Sequence, residues 1–322
     1  MSAEPNPDPG RAAADAAEAL VANVERVIRG HRQAVECAVV ALLAGGHVLL
    51  EDVPGVGKTM LGRSLARSVS GAFKRIQGTP DLLPSDITGT TVFDSQRHSF
   101  DFIPGPVFAN VVLIDELNRT SPRTQAALME AMDEGGVTVD GTTHPLPSPF
   151  FVVATQNPLE HHGTYPLPEG QLDRFAMALE MGYVDAPTER EIVRAQLLAH
   201  PVDTLRPVLT TADVEALRQH VRSVHVSDQV TDYAVALTRA TRGHPQLELG
   251  ASSRATIALV RCAQARALLA GRAFVTPDDI KSLAVSVLAH RVLPAAGIEA
   301  QRRRAIRAVL DVLATVPVPM AG

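Results

Sequence analysis

His47-Val48-Leu49-Leu50-Glu51-Asp52-Val53-Pro54-Gly55-Val56-Gly57-Lys58-Thr59-Met60 is the stretch on which the fold turns. The apolar run His47–Leu50 predicts a short strand, and the spacing of apolar residues over Met60–Val69 predicts a helix. Between them, Gly57-Lys58-Thr59 satisfies the end of the phosphate-loop pattern of Gly, four residues, then Gly-Lys-Ser/Thr. Asp52 stands at the first glycine position, where Pro54-Gly55 can still turn the chain. Successive backbone N–H groups in such a loop, with the helix N-terminus behind them, hold an anion. Gly57 lets the backbone approach without a Cβ clash. Lys58 would then reach the β- and γ-phosphates, and the Thr59 hydroxyl would ligate magnesium. Val53, Pro54, Gly55, Val56, Gly57, Lys58, Thr59 and Met60 form the candidate nucleotide-binding set.

Working outward, Val111-Val112-Leu113-Ile114 reads as a strand buried on both faces, and it ends in Asp115-Glu116. Ligands of open α/β sheets bind at the carboxyl ends of the strands. Asp115 can there hold magnesium through water, and Glu116 can orient and deprotonate an attacking water. Further strands are predicted at Phe73–Gln77, Phe150–Thr155 and Met177–Glu180. A helix starts at Ser121-Pro122 and stops at Gly135-Gly136. Val137–His144 reads as a hairpin with an Asp-Gly turn. This strand–helix alternation implies a parallel sheet with helices on both faces. After about Asp185 the strand signals end and helical patterns cover roughly 188–199, 211–222, 227–241, 252–270, 277–289 and 298–314. Thr188 and Glu191 read as a capping box for the first of these. The expected organisation is a disordered tail over 1–10, an α/β core over 11–185 and an all-helical domain over 186–322.

Bulk composition narrows the function. Of 322 residues 46% are hydrophobic, as in a soluble globular protein, and no apolar stretch suggests a membrane span. The net charge of -5 and the lack of Trp argue against a dominant nucleic-acid surface. Cys37 and Cys262, each in an apolar helical pattern, read as core thiols rather than a disulfide or metal set. A cytoplasmic protein is the expectation. His161-His162 is no metal site, because adjacent histidines point apart. Arg302-Arg303-Arg304 reads as a solvated helix face.

Five stretches together resemble the MoxR family of AAA+ ATPases, from about Val27 to Val309: Ile76–Asp86, Asp115–Thr120, Ala154–Pro158, Pro166–Phe175 and Gly250–Ala255. The resemblance implies a phosphate-loop AAA+ core with a helical lid, with ATP seated between them. It implies ATP hydrolysis with Mg2+, a homo-hexameric ring, and chaperone-like remodelling of partners such as von Willebrand factor A domain proteins. Asn157 resembles the sensor that positions the lytic water. Arg174 resembles an arginine finger given to a neighbouring subunit's nucleotide. Arg254 resembles the second sensor, reaching from the lid to the γ-phosphate. Residues 79–110 sit where the family inserts an extra element, and this insertion and the 137–144 hairpin are expected to face pore or substrate. Asp52, Gly78 and Ser253 depart from the family pattern, where glycine, an aromatic and proline are common. Related readings are a metal-chelatase-like motor subunit, a DNA-dependent AAA+ motor and a nucleotide-gated scaffold without turnover.

Overall fold

The structure, a computed structural model, describes residues 9–52, 55–157, 163–198, 200–297 and 300–319. Val53 and Pro54 of the phosphate loop, His161-His162 and residues 1–8 of the expected tail lie outside them. Helices α1 (Pro9–Glu25) and α2 (Arg32–Leu43) lead into β1 (Val48–Glu51) and α3 (Lys58–Ser68). There follow β2 (Phe73–Gln77), the short α4 (Pro84–Thr88), the hairpin of β3 (Gly89–Asp94) and β4 (Ser99–Pro104), and β5 (Val111–Asp115). Next come α5 (Pro122–Glu134), the hairpin of β6 (Gly136–Val139) and β7 (Thr142–Pro145), β8 (Phe151–Gln156), α6 (Glu169–Leu172) and β9 (Met177–Leu179). The C-terminal part carries α7 (Ala186–Leu198), α8 (Thr211–Ser223), α9 (Asp228–Arg242), β10 (Leu247–Leu249), α10 (Ser253–Leu269), α11 (Pro277–Leu288), β11 (Leu293–Pro294) and α12 (Gln301–Thr315).

The main sheet is parallel throughout, in the order β2-β5-β8-β1-β9. Its pleat sends alternate residues to opposite faces. Val111, Leu113, Phe151 and Val153 join one apolar cluster with α1, α2 and α3. Val112, Ile114, Val152 and Ala154 join another with α5. Both faces are covered, which is why these strands read as unbroken apolar runs. Registers Leu50↔Thr155 and Ile114↔Ala154 bring the ends of β1, β5 and β8 to one edge.

Four expectations need correction. Helix α1 already begins at Pro9, because Ala13, Ala17, Leu20, Val21 and Val24 form a buried stripe that extends it. The cap of α7 is Asp185, whose carboxylate accepts the Thr188 N–H at 2.9 Å, so Thr188 lies inside the helix. The C-terminal part is not wholly helical, since β10 and β11 pair antiparallel. These two strands are too short for any alternation to show in the sequence. Arg302 is not on a solvated face, as described below.

Residues 79–110 supply α4 and the β3–β4 hairpin. Asp140 and Gly141 both have left-handed φ, +50° and +78°, as a tight Asp-Gly hairpin turn requires. Cys37 and Cys262 are buried, and burial pushes their thiols up to about 11 and about 12. Helix α10 packs on α1, α2 and α8, while α11 packs on β9. No helix among the described residues is long and apolar enough to cross a membrane.

Candidate active site

A cleft of about 350 Å³ opens at the carboxyl edge of the sheet, where Gly57, Lys58, Thr59, Asp115, Glu116 and Asn157 converge. Gly57 caps α3 with φ +98°, a conformation open to glycine and strained for other residues. Lys58 Nζ donates to the Asp52 carbonyl at 2.7 Å, which holds its ammonium beneath the loop. Asp52 itself is 8% exposed, and its Oδ2 accepts the N–H groups of Met181 and Gly182, each at 2.7 Å. The residue that replaces glycine therefore fastens the start of the phosphate loop to the chain leaving β9. Beside it, Arg302 at the start of α12 pairs with both Glu51 and Glu180. Burial pushes the Glu51 carboxyl up, and Arg302 draws it back down. The C-terminal helix is thus tied by charge to the residues on either side of this junction.

The acid pair is held from three strands. Glu116 adopts left-handed φ of +57° just past β5. Its N–H donates to Thr155 Oγ1 at 2.9 Å, and that hydroxyl donates to Asp115 Oδ1 at 3.4 Å. Arg75 Nε donates to Asp115 Oδ2 at 2.7 Å. The Glu116 carboxylate accepts from Gln77 Nε2 and Arg119 Nη1, both at 3.2 Å. Gly78 N–H donates to the Asp115 carbonyl at 2.7 Å. A Cβ at Gly78 would lie 2.7 Å from that same carbonyl oxygen and closer still to that of Glu116, so an aromatic does not fit this backbone path. Asn157, 8% exposed, follows β8 and closes the cleft.

Thr155, Arg75 and Gln77 belong to this site and were not among the residues singled out from the sequence. Gln77 is in register with Asp115, which only the β2–β5 pairing reveals. A signal was nonetheless present: all three are polar residues near the ends of strands that flank the acid strand.

Arg174 and Arg254 do not line the cleft with Lys58. They meet instead at Asp133, near the end of α5. Arg174 Nη1 pairs with Asp133 Oδ2 and donates to the Met129 carbonyl at 3.2 Å. Arg254 Nη2 donates to both Asp133 oxygens at 3.3 Å. Burial, and then the neighbouring Arg254 charge, pull the Arg174 guanidinium below its usual range. Arg254 sits here because Ser252 caps α10 and its Oγ donates to Asp173 Oδ2 at 2.9 Å. Asp173 also accepts Arg291 Nε at 2.8 Å, and Arg291 donates to the Phe175 and Ala176 carbonyls. The lid thus presents Arg254 beside Arg174 rather than beside Lys58. The lid meets the phosphate-loop helix through α7, since Met60 shares a narrow cavity with Val27, Ile192, Ala195 and Pro201.

A parallel sheet of this order, with a phosphate loop at its edge, an acid pair on the next strand but one and a following helical lid, defines an AAA-type ATPase. The sequence pattern of the ATPase family associated with various cellular activities (AAA) matches residues 47–177, and that of the AAA lid domain matches 239–309. The chain belongs to the MoxR family of AAA+ ATPases and is an ATP-hydrolysing enzyme. It is 43% identical to Chaperone MoxR1 of Mycobacterium tuberculosis, over 86% of this chain and 75% of that protein. It is 50% identical to YeaC of Bacillus subtilis, over 93% of this chain and 94% of that one. The crystal structure of a protein assigned as an ATPase from Cytophaga hutchinsonii superposes with a TM-score of 0.87 at 36% identity, covering 97% of both chains.

Proposed function

We propose that this ATPase acts as a cytoplasmic homo-hexameric ring that uses hydrolysis to remodel or activate a partner protein, such as one with a von Willebrand factor A domain. The observation that carries the enzymatic part is one cleft holding Lys58, Thr59, Asp115, Glu116 and Asn157 together. Val53 to Met60 cradle the phosphates, with Lys58 neutralising charge on the β- and γ-groups. The Thr59 hydroxyl and the Asp115 carboxylate are hard oxygen donors in the same cleft, which suits magnesium, an ion usually held by few protein ligands plus phosphate and water. When bound, it would neutralise charge developing on the phosphate oxygens. Glu116 orients a water against the γ-phosphorus and takes its proton, and Asn157 positions that water. Arg174 offers its cation to the nucleotide of a neighbouring copy, where it offsets charge spreading over the γ-phosphate. Its absence from the chain's own cleft supports that arrangement, and Arg254 beside it belongs to the same function. The α/β core over 11–185 and the lid over 186–322 move relative to one another as ADP and phosphate leave.

The exposed side chains Phe93, Phe100 and Ile103 on the β3–β4 hairpin support a contact with client or pore. The test is capture with Glu116→Gln in ATP, set against Lys58→Ala as control. A client enriched reproducibly only on the former supports remodelling. Equal recovery on both contradicts it. ATPase stimulation by DNA would favour the rival motor reading, and none is expected.

A further inference from the structure

Two guanidinium groups on separate elements, brought into mutual repulsion at one carboxylate, need a reason. Arg174 lies in the loop between α6 and β9, and Arg254 in the first turn of α10. Their only shared acidic partner among the described ion pairs is Asp133, from α5. The group carries two positive charges against one negative. It is partly open: the Arg254 side chain is 51% exposed and that of Asp133 24%. Arg174 Nε is buried without a hydrogen-bond partner among the described residues, so this guanidinium is not fully satisfied by its own chain. A guanidinium has five N–H donors, and Asp133 engages only part of each set.

We propose that Asp133 is a positioning residue that yokes Arg174 and Arg254 into a single two-guanidinium receptor for the terminal phosphate of a nucleotide held by a second copy of this chain. The proposal rests on the reading that Arg174 acts between subunits. Asp133 offsets the repulsion that would otherwise splay the two side chains. It leaves a residual positive charge, which suits a phosphate oxyanion. Because it is anchored on α5, which packs against the sheet, it also sets where the pair stands relative to its own subunit's core. Without it, each arginine remains present but neither is held in place, and misplacement by about an ångström is enough to cost on the order of a hundredfold in rate.

The experiment is steady-state ATP turnover of the full chain for Asp133→Ala, Asp133→Asn, Arg174→Ala and the Asp133→Ala/Arg174→Ala double variant. Fluorescent-nucleotide affinity and melting temperature are measured in parallel. Asp133→Ala should lower kcat by roughly 10–100-fold while nucleotide affinity stays within about twofold of wild type. Asp133→Asn keeps an acceptor oxygen and should recover part of the loss. The double variant should be no slower than Arg174→Ala alone, since both changes disable one receptor. Asp133→Ala turning over at the wild-type rate while Arg174→Ala is slow would overturn the proposal alone. So would losses that multiply in the double variant. If Arg174→Ala is itself as fast as wild type, the proposal falls together with the reading beneath it. Should Asp133→Ala melt early, the isosteric Asp133→Asn decides: a full-speed enzyme without rate loss or coupling to Arg174 refutes the yoke.

Discussion

The cleft at the sheet edge and the corner at Asp133 are built with opposite charge and by opposite means. In the cleft, the carboxylates of Asp115 and Glu116 are compensated from within the chain by Arg75 and Arg119. In the corner, the guanidinium groups of Arg174 and Arg254 are compensated by Asp133. The cleft stands on buried strands whose ends are fixed by register. The corner stands on one loop, one helix start and one helix end, joined by side chains that reach one another and nearby carbonyls. In the proposed mechanism one region binds and cuts a triphosphate, and the other stabilises the transition state of a neighbour's. On the proposed reading a single subunit carries two complementary halves, the acids of the cleft compensated by arginines and the corner left with one positive charge in excess.

The hardest test of that contrast is Arg174→Ala. Arginine fingers contribute about 10³–10⁵ in turnover, so the loss should be of that order while nucleotide affinity holds. Mixing Arg174→Ala with Lys58→Ala subunits should restore measurable phosphate release, because each supplies the half the other lacks. A mixture as inactive as its components would break the comparison. Next is Glu116→Gln, expected to lose about 10²–10⁴ in kcat with nucleotide still bound in a direct titration. A wild-type rate there would remove Glu116 from its role.

Acid should strain the fold, since two buried neutral imidazoles help to hold it. His47 Nδ1 accepts the Val152 N–H of β8 at 3.0 Å, and His290 meets the Phe175 carbonyl at 2.9 Å in the corner loop. Burial pushes His47 down from 6.5 to about 4, and pushes His290 well down as well. The unfolded chain takes up these protons below 6.5 and the folded chain refuses them. Stability is therefore fully present above pH 6.5 and is lost as pH falls toward about 4, by about 3 kcal/mol for His47. Denaturant midpoints across that range check this, and a His47→Gln variant should flatten the slope.

Smaller effects sharpen the cleft side. Asp52→Ala leaves two N–H groups without their charged acceptor and should cost about 2–3 kcal/mol of stability, with weaker nucleotide binding. Asp52→Asn should recover part of both. Gly78→Ala crowds the main chain of the acid pair and should cost about 1–3 kcal/mol, with reduced kcat at unchanged nucleotide affinity. A Gly78→Ala enzyme of full activity and stability would show that the acid pair tolerates displacement.

Local pattern alone carried the parallel sheet, the convergence of Lys58, Thr59, Asp115 and Glu116 at its carboxyl edge, and the mostly helical C-terminal part. Their signals are short-range: a glycine where φ must be positive at Gly57, an apolar run before Asp115, a cap before a helix at Ser121. Such features are dictated by a few adjacent residues, so the sequence contains them whole. Tertiary structure alone decided that the two arginines share Asp133, that Asp52 anchors Met181 and Gly182, that Arg302 bridges Glu51 and Glu180, and that Gln77 and Arg75 hold the acids. Each of these joins groups far apart along the chain, and which meets which is settled by strand order and helix packing, neither of which is encoded in any one segment.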